Sequence, residues 1–215
     1  MKNNLKVLML NGSPHEKGCT YTALSEIADE LKRNGIDSEI IHVGNKPYYG
    51  CRGCGACRKN PDLNGCAFGK DDGINDIIAK AKESDALIIG SPVHYAAASG
   101  SITCVLDRVF YAGGKHFAYK PGAAVLSCRR GGATASLDQL NKYFLINKMP
   151  VVSSQYWNMV HGNTPDEVKQ DLEGMQTMRT LAKNTAWILN CIEAGKEAGI
   201  LVPELEKPVR TNFIK

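Results

Sequence analysis

The sequence predicts an α/β fold built on a doubly wound, five-stranded parallel sheet. Three observations lead there. Short apolar runs of strand length recur along the chain, amphipathic helical stripes separate them, and 215 residues with 43% hydrophobic content suit one full core better than two domains. The strand runs are Lys6 to Asn11, Ser38 to His42, Ala86 to Ser91, Ala123 to Ser127 and Pro150 to Ser153. The first, third and fourth are nearly continuous apolar segments, as parallel strands buried on both faces require. Ser91-Pro92 reads as the end of the third.

Between the runs, helical stripes of apolar residues mark the crossovers. Leu24, Ile27, Ala28 and Leu31 form the first, and Ile74, Ile77, Ile78 and Ala81 the second. Ile102, Val105, Leu106 and Val109 form the third, and Leu137, Leu140, Phe144 and Leu145 the fourth. Val168, Leu172, Met175, Leu181 and Leu189 predict one long final helix. All these stripes read as core. Strand–helix alternation with short connections fits the flavodoxin-like order 2-1-3-4-5. In that order a ligand sits beyond the carboxyl ends of strands one and three, so the loops after Asn11 and after Ser91 are expected to be neighbours. Residues 1–195 are read as one domain with a cysteine-rich loop, 46–70, inserted after the second strand. Residues 196–215 hold Pro203 and Pro208, lack helical period, and are expected to wrap the domain or a partner subunit.

The net charge of +4 is modest and spread along the chain. No basic stripe interleaves with aromatics, so nucleic-acid binding is not expected. The apolar run near the N-terminus is too short for a signal peptide, and no segment reaches membrane-spanning length. A cytoplasmic protein with no membrane association is the expectation. Eight cysteines in a reducing compartment then read as metal or redox thiols plus a few core thiols.

Four of those cysteines crowd one loop: Cys51, Cys54, Cys57 and Cys66, spaced C-x2-C-x2-C-x8-C. Thiolates are soft, strongly donating ligands, and a C-x2-C step lets two of them reach one metal centre. Three thiols at this spacing, with a fourth arriving later, resemble the way iron–sulfur clusters are held. Gly50, Gly53, Gly55 and Gly65 would let the backbone wrap closely. Zinc, disulfides and redox-active free thiols remain open on spacing alone, although the run holds neither a histidine nor a second separate C-x2-C pair. Arg52, Arg58 and Lys59 are expected to lower the thiol pKa values by proximity of charge. Cys19, Cys104, Cys128 and Cys191 are scattered and read as structural thiols.

Three loops at strand ends carry the remaining chemistry. Asn11 to Thr22 runs from a strand into a helix, where free N–H groups make an anion site. Ser13, Thr20 and Thr22 supply hydroxyls there, and His15 and Lys17 supply positive charge; the alternative is an ordinary capped helix start. Walker A and G-x-G-x-x-G patterns are absent, which argues against ATP, GTP and dinucleotides at this loop. Gly90 to Ser101 offers small residues that can lay backbone against a flat ring, flanked by Val93, His94 and Tyr95. His94 is a candidate proton donor, or else a hydrogen-bonded structural residue. Ser127 to Ser136 brings Arg129 and Arg130 for an anion, with Gly131 and Gly132 for close approach. No C-x5-R phosphatase signature follows Cys19 or Cys128.

Asn11–Thr22 together with Ser91–Arg108 resembles the NADPH-dependent FMN reductase family of flavodoxin-like proteins. With the cysteine loop, the chain is similar to the iron–sulfur flavoproteins within it. The resemblance covers the chain from its start to the fifth strand. It implies FMN, with phosphate held by Ser13, His15, Gly18, Cys19, Thr20 and Thr22. It implies a flavin ring between Pro92, Val93, His94 and Tyr95 on one side and Arg129, Arg130, Gly131 and Gly132 on another. It further implies a [4Fe–4S] cluster on Cys51, Cys54, Cys57 and Cys66, and assembly into homodimers or homotetramers. His15 and Cys19 stand where the family loop usually carries arginine and asparagine. Thr103 stands where many relatives carry lysine, and the gap before Cys66 is longer than in the compact cluster motif.

The function this implies is an FMN oxidoreductase with NAD(P)H as co-substrate, whose other partner is a small-molecule electron acceptor or a ferredoxin-type protein. His94 is the only side chain with an expected catalytic part, since the chemistry belongs mainly to the flavin. The alternatives are a non-catalytic electron carrier and a metal-binding redox sensor on the same fold.

Overall fold

The computed structural model describes residues 5–209, 211 and 213. The first four residues of the expected domain, and positions 210, 212, 214 and 215 of the expected tail, lie outside the described residues. Strand β1 (Lys6–Asn11) lies in a parallel sheet between β2 (Asp37–His42) and β3 (Ala86–His94). Strand β5 (Gly122–Cys128) pairs with β3, and β6 (Met159–His161) with β5. The two-residue β4 (Ala97–Ala98) pairs antiparallel with the end of β3. The order β2-β1-β3-β5-β6 places the five parallel strands as the sequence predicted.

Among the described residues seven α-helices follow in chain order: α1 (Cys19–Arg33), α2 (Ala56–Lys59), α3 (Ile74–Glu83), α4 (Gly100–Gly113), α5 (Ala133–Ile146), α6 (Pro165–Gln170) and α7 (Leu172–Glu197). They cover both faces because each strand projects alternate side chains to opposite sides. Leu8 and Leu10 of β1 join a core under α3, α4 and α5, whereas Val7 and Met9 join a second core under α1 and α7. Burying Leu24, Ile27 and Leu31 of α1 in that second core contributes roughly 1.5–3 kcal/mol each. Among the described residues no helix is long and apolar enough to cross a membrane.

Four features differ from the sequence reading. Strand β3 does not stop at Pro92: Pro92 stays in register with Ser127, and the strand runs on to His94. It then reverses through Tyr95 and Ala96, whose φ angles of 51° and 58° form the kind of tight turn that suits a hairpin. The fifth strand comes in two pieces. Val151 makes one isolated bridge to Gly122, the chain then leaves the sheet around Ser154 and Asn158, and the ladder resumes at Met159.

The final helix is also broken. Asp171 lies between α6 and α7 and restarts the second by accepting a hydrogen bond from the Gly174 N–H at 2.9 Å. Lastly, Leu145 and Leu172 are exposed rather than core, and Cys191 is exposed on α7. Among the described residues beyond α7 no helix or strand forms, and the Pro203 carbonyl accepts a hydrogen bond from the Tyr119 hydroxyl at 3.3 Å.

Phe144 ties α5 to the sheet. It is fully buried, lies edge-on to Phe110, and fills the space above Gly122, where an added β-carbon would come within 2.4 Å of its ring. Phe144→Ala is expected to cost about 3–5 kcal/mol of unfolding free energy. Denaturant titration measures it, and a loss below about 1 kcal/mol would show that the ring is not part of the core.

Candidate functional site

The three predicted loops meet at the carboxyl end of the sheet. The Gly12 N–H donates to the Gly90 carbonyl at 2.9 Å, and the Ser99 hydroxyl donates to the Gly12 carbonyl at 2.8 Å. Ser99 also caps α4, accepting from the Ile102 N–H. The Thr20 and Ser127 hydroxyls share a buried hydrogen bond of 2.8 Å, which joins the first loop to the third. The third loop reaches the second at Gly132, whose φ is +97° and whose missing β-carbon would lie 2.7 Å from the Ala96 α-carbon. The neighbouring of the loops after Asn11 and Ser91 is therefore as expected.

Within the first loop, Asn11 does the shaping. Its buried side chain accepts from the Ser13 N–H at 3.1 Å and donates to the Glu16 carbonyl at 2.9 Å. The Ser13 hydroxyl accepts from the His15 N–H, and the Gly18 N–H is bonded to the His15 carbonyl. His42, at the end of β2, donates from Nε2 to the Ser13 carbonyl at 2.7 Å; a carbonyl only accepts, so this nitrogen carries the proton. The Gly12, Ser13, His15 and Gly18 amides are thus used within the site's own framework, and the start of α1 offers further N–H groups to a ligand.

That helix opens on Gly18 with no side-chain cap and no acid in its first turn. Its first N–H groups have no partner inside the helix and carry the positive end of its dipole. This is a fit for a phosphate monoester. Thr20 is turned inward to Ser127, so it contributes its backbone N–H to the helix start while its hydroxyl fastens the loops. Thr22 hydrogen-bonds back to the Gly18 carbonyl. Cys19 is half-buried, with its thiol toward the Gly162 carbonyl, and burial pushes that thiol up. His15 is exposed at the rim.

The ring-side residues divide by exposure. Pro92 and Val93 are half-buried along the end of β3, whereas His94 and Tyr95 are exposed at the hairpin tip. Arg129, Arg130 and Gly131 are exposed across the cleft, and Gly132 is half-buried. Burial pushes up the Cys128 thiol beneath them, in keeping with a structural rather than a reactive role.

The cysteine loop leaves β2 and returns at α3. Cys51, Cys54, Cys57 and Cys66 line one pocket together with Arg108 of α4. All four thiols are unpaired. Gly53 and Gly55 take φ angles of 64° and 69°, the left-handed turns that fold the C-x2-C-x2-C run back on itself. Cys66 is placed by Asn75, whose amide accepts from its N–H at 2.8 Å and donates to its carbonyl at 3.1 Å.

Among the described residues no three potential ligands converge on one metal-binding point. Thiols without a metal have no attraction that would draw them together, and the donor set, four soft groups on one pocket, matches the chemistry of a thiolate-held metal centre.

The basic residues of this loop do not lower the Cys57 thiol as predicted. The Arg52 guanidinium lies over the Tyr49 and Phe68 rings at 5.2 and 4.9 Å, and that of Arg58 over Tyr111 at 4.0 Å. Burial, with the neighbouring Cys66, Cys54 and Cys51, pushes the Cys57 thiol up rather than down. Sequence reasoning missed Asn11, His42, Asn75 and Arg108. A polar residue inside an apolar helical stripe was the one available signal, and it applies to Arg108.

The model of the NADPH-dependent FMN reductase family matches residues 5–164. An iron-sulfur flavoprotein of Methanocaldococcus jannaschii is 30% identical over 197 residues, spanning 88% of this chain and 100% of that one. Among solved structures, RosB with a bound 8-demethyl-8-formylriboflavin-5'-phosphate superposes with a TM-score of 0.65 at 15% identity, covering 98% of this chain and 94% of that one. A flavodoxin from the domain Archaea superposes with a TM-score of 0.59 at 13% identity, covering 86% and 99%. Both likenesses are of fold.

Gly44 marks how tightly β2 is set against the first loop: a β-carbon there would fall 1.9 Å from the Ser13 carbonyl oxygen and 2.7 Å from the Gly12 carbonyl carbon. Backbone on both sides leaves nothing to yield. Gly44→Ala is expected to cost about 3 kcal/mol and lower Tm by roughly 6–12 °C. An unchanged melting curve would contradict the packing of β2 on the loop.

Proposed function

The chain belongs to the NADPH-dependent FMN reductase family and is a flavoprotein oxidoreductase of flavodoxin-like fold; from that premise we propose that it moves electrons between FMN and a [4Fe–4S] cluster, with NAD(P)H as co-substrate. One observation carries the reading. The loop that leads into the phosphate-type helix start is bonded to the N-terminus of α4, and a pocket of four unpaired thiols is lined by the same helix. Ser99, at the N-terminus of α4, is bonded to the first loop, and Arg108 in its later turns lines the thiol pocket. At 1.5 Å per residue, Arg108 lies about 12 Å along the axis from Gly100.

FMN, when bound, supplies hydride acceptance and single-electron release. The protein's part is to bind and orient. The α1 amides and the Ser13 hydroxyl hold the phosphate, with His15, Gly18, Cys19, Thr20 and Thr22 forming the turn. Pro92, Val93, His94 and Tyr95 bound the ring on one side, and Arg129, Arg130, Gly131 and Gly132 bound the other. The two exposed guanidiniums supply positive charge for a reduced, negatively charged flavin. Cys51, Cys54, Cys57 and Cys66 are the ligands of the cluster. The single-electron partner is a ferredoxin-type protein or a small-molecule acceptor, and the working unit is a homo-oligomer. The exposed Ile200, Leu201, Val202 and Leu205 of the tail favour such assembly.

Two substitutions separate the sites. Cys54→Ala is expected to abolish bound iron while leaving flavin at the wild-type ratio; iron analysis and flavin absorbance measure both, and unchanged iron would sink the ligand assignment. Ser13→Ala is expected to weaken FMN binding about tenfold to a hundredfold. Unaltered affinity would remove Ser13 from the phosphate site. Anaerobic mixing with NADH and with NADPH tests the co-substrate: bleaching of the flavin absorbance is the expected result, and a flavin that stays oxidised with both contradicts NAD(P)H dependence.

A further inference from the structure

The neck of the cysteine loop is closed by two arginines that grip the same two residues. On the inner side, Arg108 donates from Nη1 to the Tyr49 carbonyl at 3.4 Å and from Nη2 to the Phe68 carbonyl at 2.6 Å. On the outer side, Arg52 lies over the rings of Tyr49 and Phe68. Tyr49 stands two residues before Cys51, and Phe68 two residues after Cys66. The chain entering the thiol segment is thereby fastened to the chain leaving it.

The inner arginine is the unusual one. Its side chain is only 4% exposed, yet a guanidinium stays charged in proteins. Both of its terminal nitrogens also bond the Asp72 carboxylate. Burial works against the charge, and Asp72 with Cys66 more than offsets it, so the guanidinium is held above its ordinary range. A buried cation is retained where an anion needs it, and Asp72 is half-buried with access to solvent. The other groups beside Arg108 that would carry negative charge, once bound to a metal as thiolates, are the cysteines of the pocket it lines.

We propose that Arg108 is the positioning and tuning residue of the thiol pocket: its planar fork holds the two ends of the loop together, and its fixed charge stabilises the extra negative charge that one-electron reduction places on a metal–thiolate centre there. The inference rests on the cluster reading above and goes beyond it, because it assigns control of the centre to a residue that is no ligand. Asp72 is the counterweight. By neutralising part of the Arg108 charge, it limits how much of that field the pocket receives.

This gives two substitutions of opposite sign. The test is a redox titration, with dithionite as reductant, of protein reconstituted with ferrous iron and sulfide, alongside the rate at which a chelator removes the iron. Arg108→Gln is expected to make the midpoint more negative, an about tenfold fall in the ratio of reduced to oxidised centre at the wild-type midpoint. It is also expected to speed iron release about 10–100-fold. Asp72→Asn keeps an oxygen for the Ile74 N–H, which Asp72 Oδ1 accepts at 3.3 Å, and is expected to move the midpoint in the positive direction.

Arg108→Lys keeps the charge and loses the fork, so it is expected to hold the midpoint while releasing iron faster. Should Arg108→Gln not fold, Asp72→Asn and Arg108→Lys carry the test. Midpoints that move the same way in the Gln and Asn variants, or a midpoint unmoved by Asp72→Asn, overturn the proposal and leave Arg108 a mechanical clasp. Wild-type protein that takes up no iron and sulfide overturns the cluster assignment itself, and the role of Arg108 with it.

Discussion

The site depends on backbone lying directly against backbone where β2, β1 and β3 end. Gly12 hydrogen-bonds to Gly90 across the β1–β3 switch point, and Gly44 rests on Ser13 and Gly12 from the β2 side. No side chain fits between them. That closeness fixes the path of the first loop, and the first loop fixes where α1 begins. Asn11, His42 and Ser99 then bond to the loop from within, from β2 and from α4 in turn. An anion site made of helix amides is only as well placed as the helix start, so the contact at the strand ends is what gives the cleft its geometry.

The cysteine loop obeys a different logic. It lies outside the sheet and buries little, and a few polar contacts hold it: Asn75 on Cys66, Arg108 on both strands of the neck, Arg52 over two rings. Loops fastened this way can adjust locally while their ends stay fixed. That suits the proposed pocket, whose thiols would come together around a metal. Helix α4 belongs to both regions, since Ser99 at its start serves the cleft and Arg108 in its later turns serves the pocket. The charge that reaches the thiols and the backbone that shapes the cleft are thus carried by one rigid element.

Much of this was legible in the sequence. The apolar runs located β1, β3 and β5 because parallel strands are buried on both faces, and their order followed from the helical crossovers between them. The thiol spacing singled out the four cysteines that line one pocket, and glycines at 53 and 55 announced the turns of their loop. The extension of β3 past Pro92 was hidden: proline reads as a terminator, and the hairpin turn that follows uses Tyr95 and Ala96, neither of which advertises a positive φ. The fifth strand was misplaced because Val151 and Val152 have strand propensity but only one bridge to make, while the ladder forms on Met159–His161 after a detour. The expected lowering of the Cys57 thiol by Arg52 and Arg58 gave way to burial, which with the neighbouring cysteines pushes that thiol up, while both guanidiniums lie over aromatic faces. Arg108 was visible only as a charge within the stripe of α4, and what it touches is 36 to 59 residues away in the chain.

The central claim is that one chain holds both a flavin and a thiolate-bound cluster that exchange electrons. An anaerobic reductive titration of freshly purified protein, followed by visible absorption, tests it most directly. Resolved flavin bands above a broad iron–sulfur shoulder are expected, with uptake of about three electrons per chain, two by the flavin and one by the cluster. Flavin bands alone, saturating at about two electrons with no iron in the sample, would contradict it.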